Sequence, residues 1–133
     1  MEEREHAGDE RRRISSGSPY ETTTAFSRAV RVGDRILVSG TAPIWPDGDC
    51  PSDAGVQANR CFEIIATALE ELGASLADVV RTRMFLVSVA DADAVGAVHG
   101  RLFATTRPAA TMVIVAGLLD PRWKVEIEVE AID

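Results

Sequence analysis

Val125-Glu126-Ile127-Glu128-Val129-Glu130-Ala131-Ile132 closes the chain with strict alternation. Apolar side chains at every second position put Val125, Ile127, Val129 and Ala131 on one face of a strand and three glutamates on the other. A strand with one apolar and one charged face belongs to a sheet covered by other elements on one side only. The pattern predicts a strand over Lys124–Ile132, and what covers its apolar face must be sought upstream.

Two segments can supply that cover. Between Asp53 and Gly73 the residues Val56, Cys61, Ile64, Ile65, Ala68, Leu69 and Leu72 recur at spacings of three, four and seven, the period of an amphipathic helix. Ser52 or Asp53 can cap its start, and Gly73 can take the left-handed conformation that ends it. A second helix is expected from Asp91 or Asp93 to about Phe103, with Ala94, Val95, Val98 and Leu102 as a narrow apolar stripe weakened by Gly96 and Gly100.

The remaining elements are β-prone. Ala25–Val32 and Arg35–Gly40 flank the turn signal Gly33-Asp34 and read as a hairpin. Thr41–Ser52 holds Pro43, Pro46, Gly48 and Pro51 and is a loop. Val79–Val89 reads as a central strand with Thr82, Met84 and Leu86 facing one way and Arg81, Arg83 and Phe85 the other. Thr111–Ala116 is a further apolar strand. The order of hairpin, helix, strand, helix, strand, strand defines an α+β domain, a mixed sheet with two helices on one face. Its other face calls for cover that a homo-oligomer would provide.

The chain has 133 residues, room for one domain. Residues 1–13 mix both signs of charge without an apolar period and are expected to form a flexible tail, leaving 14–133 as the single domain. Fourteen basic against 21 acidic residues give a formal charge of −7, which opposes nucleic-acid binding but leaves room for a local basic pocket. No apolar run is long enough to span a membrane and the N-terminus is unlike a signal peptide, so a cytoplasmic protein without membrane partners is expected. Cys50 and Cys61 are too few for a disulfide framework, and with only His6 and His99 no metal site is expected. Neither a dinucleotide fingerprint nor a P-loop occurs, and no cofactor is implied.

The chemistry therefore falls to carboxylates, hydroxyls, arginines and backbone groups. The glutamates of the last strand lie about 7 Å apart along one face. On an exposed strand they form a solvated face, whereas in a cleft burial raises a carboxyl's pKa and fits it to handle a proton or a water. Periodicity alone leaves both readings open. Arg81 and Arg83 share a face on which a guanidinium can bind a carboxylate bidentately or pair with the glutamates. Ser39-Gly40-Thr41 offers hydroxyls and approachable backbone amides, or simply ends a strand. Phe26 is core by default but can line a pocket mouth. His99 reads as a polar residue of a helix face.

Four segments carry a wider resemblance: Phe26-Ser-Arg-Ala-Val-Arg-Val-Gly-Asp with Val38-Ser39-Gly40; Val80-Arg-Thr-Arg-Met-Phe-Leu; Arg107-Pro-Ala-Ala-Thr-Met-Val; and Val125-Glu-Ile-Glu. Together they resemble the Rid family, also called YjgF-type, many of whose members are labelled L-PSP endoribonucleases. The resemblance runs from about Ile14 to the C-terminus. It implies a chorismate-mutase-like fold, a homotrimer and ligand clefts between subunits. It further implies cofactor-free hydrolysis of reactive enamines and imines, such as 2-aminoacrylate, to a carbonyl compound and ammonia.

By the same resemblance Glu126 is the glutamate that positions the attacking water, with Glu128 the nominee if the register shifts by two. Ser39 and Gly40 match the serine and glycine at the strand end, and Phe26 stands where the family has a tyrosine. The family's carboxylate-clamping arginine falls at Ala110, which with Thr111 is a candidate substrate contact, so a substrate other than 2-aminoacrylate is implied, with Arg83 a candidate replacement for the missing guanidinium. The alternative is a trimeric small-molecule binder of the same fold without catalysis. Literal ribonuclease activity fits poorly with a charge of −7 and no histidine pair.

Overall fold

A computed structural model describes residues 10–133. Six strands, β1 (Arg11–Ile14), β2 (Ala29–Val32), β3 (Arg35–Thr41), β4 (Val79–Leu86), β5 (Ala109–Ile114) and β6 (Val125–Ile132), form one sheet in the order β1-β2-β3-β6-β4-β5. Only β4 and β5 run parallel; every other neighbouring pair is antiparallel. Helices α2 (Ala54–Glu71) and α3 (Ala92–Leu102) cover one face, and a short helix α1 (Pro19–Thr24) sits between β1 and β2. The expected α+β architecture with a mixed sheet is what the chain adopts.

The alternating terminal strand β6 runs between β3 and β4 in the middle of the sheet. Val125, Ile127, Val129 and Ala131 are buried beneath the helices, and the three glutamates are half-buried on the opposite face. Against the apolar face α2 presents Phe62, Ile65 and Leu69, with Leu72 just past its end, all fully buried. Burial of side chains this size contributes about 1.5–3 kcal/mol each. Asp53 caps α2 by accepting from the Val56 amide at 2.9 Å, and Gly73 follows it with φ +85°. Gln57, also fully buried, ties α2 to the start of β6: its Nε2 donates to the carbonyls of Pro51 (2.8 Å) and Arg122 (3.0 Å), and its Oε1 accepts from the Lys124 amide (2.7 Å).

Several boundaries differ from the sequence reading. Residues 1–9 of the expected tail lie outside the described residues, but Arg11–Ile14 pair with β2 as an edge strand, so the sheet begins inside the stretch assigned to the tail. The first hairpin strand starts at Ala29 rather than Ala25, because Ala25 takes a left-handed φ of 66° to end α1. The hairpin turn is Gly33-Asp34 as expected, with Val32 opposite Arg35 and Gly33 at φ +61°. Strand β4 stops at Leu86, and the strand expected from Thr111 begins at Ala109 and forms the other sheet edge.

His99, expected on a polar helix face, points inward from α3. Its Nε2 lies 2.9 Å from Oγ1 of the fully buried Thr82, and its ring packs against Phe62 and Phe103 at centroid distances of 6.1 and 4.7 Å. Burial lowers its pKa.

Candidate functional site

The pairing of β3 with β6 is regular from Arg35 to Val38 and then shifts register before Thr41. A shift of this kind bends a strand and re-aims its side chains. It brings Gly40 against Glu126, so closely that a Cβ at position 40 would overlap Oε2 of the carboxylate. Glycine is needed there for close approach, not for an unusual backbone angle.

Hydrogen bonds lock the bend. The Ser39 hydroxyl donates to the Ser27 carbonyl at 2.7 Å and its amide to the Arg28 carbonyl at 3.0 Å, while Thr41 Oγ1 donates back to the Ser39 carbonyl at 2.8 Å. Ser39 thus holds the chain entering β2 against the end of β3. That chain delivers Arg28, whose Nη2 donates to the Gly40 carbonyl at 2.7 Å. Phe26 lies in the bend between α1 and β2, not on a strand, with its ring centroid 5.7 Å from the guanidinium carbon. That is within the range of a cation–π contact.

Electrostatics single out Glu126 among the three glutamates. Burial pushes its pKa up, Arg28 opposes the shift, and Glu128 adds to it. Glu128 and Glu130 instead pair with arginines on the open sheet face: Arg83 Nη1 lies 3.8 Å from Glu128 and 3.7 Å from Glu130, and Arg81 Nε lies 3.8 Å from Glu130. Glu126 has no ion pair within 4.0 Å among the described residues. Burial of a carboxyl without a salt bridge favours its protonated form and fits it to exchange a proton.

Arg28 escaped the sequence reading because it interrupts an apolar run in which a charge looks like an exposed strand position. It is 8% exposed, and burial lowers its pKa against the opposing charges of Glu21 and then Glu126. Glu21, from α1, is buried too: burial pushes its pKa up, but hydrogen bonds from Ser16 and Ser15 and the charge of Arg28 outweigh this and hold it low. Ser18-Pro19-Tyr20-Glu21 was a legible signal for α1, with Ser18 as the cap and Pro at the first helical position.

Phe26, Ser39, Gly40 and Glu126 therefore form one cluster, built around Arg28. Arg83, Ala110 and Thr111 lie outside it. Thr111 is in register with Arg83 on the open sheet face, whereas Ala110 is in register with Thr82, whose side chain faces α3. Within one protomer Arg83 and position 110 lie on opposite faces of the sheet, so Arg83 cannot occupy the place of a guanidinium at 110. Among the described residues no cluster of three or more His, Cys, Asp or Glu side chains is suited to a metal ion, and no helix is long and apolar enough to cross a membrane.

The family model for Endoribonuclease L-PSP matches residues 17–133. An uncharacterized protein of Streptomyces coelicolor is 41% identical over 123 residues, covering 90% of each chain. The 2-iminobutanoate/2-iminopropanoate deaminase of Escherichia coli K12 is 32% identical over 111 residues, covering 80% of this chain and 84% of the enzyme. Among solved structures, a Mycobacterium tuberculosis member of the YjgF/YER057c/UK114 family superposes with a TM-score of 0.86 at 38% identity, covering 93% of this chain and all of that one. The chain belongs to the L-PSP endoribonuclease family, that of the YjgF- and Rid-type proteins.

Proposed function

We propose that this protein hydrolyses a reactive imine or enamine to a carbonyl compound and ammonia, working without a cofactor as a cytoplasmic homotrimer with clefts between subunits. The observation that carries the reading is Glu126, half-buried, raised in pKa and seated against Gly40 at the sheet bend. Its ionised carboxylate takes one proton from water as the water oxygen bonds to the imine carbon and the C=N electron pair moves onto nitrogen, and the Glu126 carboxyl then returns that proton to nitrogen to give the carbinolamine. The same carboxylate takes the hydroxyl proton and passes it to nitrogen, so that the C–N bond breaks and ammonia leaves as the oxygen becomes a carbonyl. A relative that bears the name of an imine deaminase supports this class of reaction. The open sheet face, with Leu37 and Val113 exposed beside the arginine–glutamate pairs, supports the trimer.

Ala110 favours a second reading, a trimeric small-molecule binder of the same fold without turnover. Losing a charge-assisted contact to a desolvated carboxylate removes about 1.5–3 kcal/mol of binding. The two readings separate by turnover. Carbonyl release is followed from imines generated in situ, with 2-aminoacrylate from a serine dehydratase first and larger imines from an amino-acid oxidase next. Acceleration by the wild type that disappears in Glu126→Gln and persists in Glu128→Gln is expected. Loss in Glu128→Gln alone moves the role to that residue, and no acceleration of any imine beyond buffer leaves the binder. Sedimentation equilibrium reads the trimer directly.

A further inference from the structure

In a chain with a formal charge of −7, one cleft of about 460 Å³ is lined by two arginines and no carboxylate. Arg28 and Arg60, the latter from α2, line it together with Tyr20, Ile44, Ile64 and Trp123. We propose that this cleft is the binding site for the acid group of a carboxylate ligand with an apolar or aromatic body.

Unfilled donors carry the argument. A guanidinium presents five N–H groups, and buried donors are normally satisfied. Arg28 is 8% exposed, and its guanidinium makes a single hydrogen bond among the described residues, from Nη2 to the Gly40 carbonyl; Nε is buried without a partner, which leaves Nη1 as the open donor. Arg60 spends Nε on the Ile44 carbonyl at 2.7 Å and Nη1 on Glu63 at 3.2 Å, which fixes its plane beside the cleft and leaves Nη2 without a partner there. Two guanidiniums lining a cleft whose walls hold no carboxylate suit an acid group, which accepts from both. An apolar ligand body seated on the apolar and aromatic walls displaces water from them and so strengthens that contact.

The site rests on the deaminase reading for its meaning as a substrate site, since Arg28 is also within electrostatic reach of Glu126. It puts the recognition of the acid group at the α1–α2 side of the sheet bend rather than on edge strand β5, where Ala110 stands. The acid group so bound belongs to an imino acid larger than 2-aminoacrylate.

Binding is tested without turnover. Benzoate and phenylpyruvate, with uncharged benzamide as the control, are titrated by NMR and calorimetry into wild type, Arg28→Met, Arg28→Lys, Arg60→Met and Glu126→Gln. Both acids should bind the wild type and Glu126→Gln, bind Arg60→Met and Arg28→Met at least tenfold more weakly, and outcompete benzamide. If Arg28→Met does not fold, Arg60→Met decides, because the partly exposed Arg60 side chain is anchored on α2 independently of Arg28. Equal affinity in the arginine variants, equal binding of benzamide, or no binding of either acid overturns the site. Acid binding with the expected arginine dependence but no imine turnover would overturn the deaminase reading while the site stands; turnover with arginine-independent binding would do the reverse.

Discussion

Gly40 and Glu126 touch across the register shift between β3 and β6, with the glutamate carboxylate occupying the space a side chain at position 40 would fill. The glycine leaves room for a carboxyl group to fold back over the sheet, and the shift aims it there. What Gly40 gains in return is a carbonyl oriented by Arg28 at 2.7 Å. The candidate site is thus assembled from a strand end, an interior strand and the chain entering β2.

Gly40→Ala therefore acts on the carboxylate more than on the fold. The overlapping atom is the far end of a flexible side chain, so Glu126 swings aside at a cost of about 1–3 kcal/mol or less. Imine hydrolysis should fall by about a hundredfold or more, the scale of a lost proton-transfer group. Thermal denaturation and kinetics on one preparation check both halves.

Glu126→Gln should lose activity and gain stability. A carboxyl whose pKa is raised in the folded state binds its proton more tightly there than in the unfolded chain, so its contribution is present in acid and is lost as pH rises through the raised value. At neutral pH the charged group is a burden that glutamine lifts. Melting curves from pH 4 to 8 should show wild type and variant converging in acid and separating above the ordinary carboxylate range, with the variant higher. In the same range wild-type activity should rise with pH as Glu126 ionises.

His99 gives the opposite slope. Its pKa is depressed by burial, so the unfolded chain takes up a proton that the folded chain resists, and stability falls as pH drops through the ordinary imidazole value of about 6.5. His99→Gln should flatten that part of the stability curve. Thr82→Val, which leaves the imidazole without its partner at 2.9 Å, should cost about 1–3 kcal/mol in urea unfolding.

Arg83→Ala should leave the stability of the protomer nearly unchanged, by about 1 kcal/mol or less. Its side chain is 39% exposed and its pairs with Glu128 and Glu130 are 3.7–3.8 Å long, the geometry of weak surface bridges. Because Arg83 and Ala110 face opposite sides of the sheet, carboxylate binding within a protomer should be equally unaffected. Chemical denaturation and benzoate titration measure the two effects.

Periodicity alone determined the long elements. The two-residue repeat of β6 and the three-to-four-residue repeat of α2 each encode which side is buried, because the backbone geometry of strand and helix turns spacing into facing. The Gly33-Asp34 turn and the Asp53 cap were legible for the same local reason. The six residues of α1 were not read, since so short a helix has little period to show, and β1 was missed because its three arginines stay exposed and only pairing with β2 makes it a strand.

Of the candidate site, Glu126, Ser39, Gly40 and Phe26 were named from the chain and come together, while Arg83 and Thr111 lie elsewhere and Arg28 was overlooked. Only tertiary structure could sort these. Which of three chemically identical glutamates loses water depends on the register shift opposite it, and whether an arginine is solvated or buried depends on what α1 and the end of β3 place around it. The face of Ala110 likewise follows from its parallel register with β4. Spacing along a chain specifies direction from its own backbone; desolvation and charge are set by neighbours distant in sequence, and those neighbours exist only once the sheet has formed.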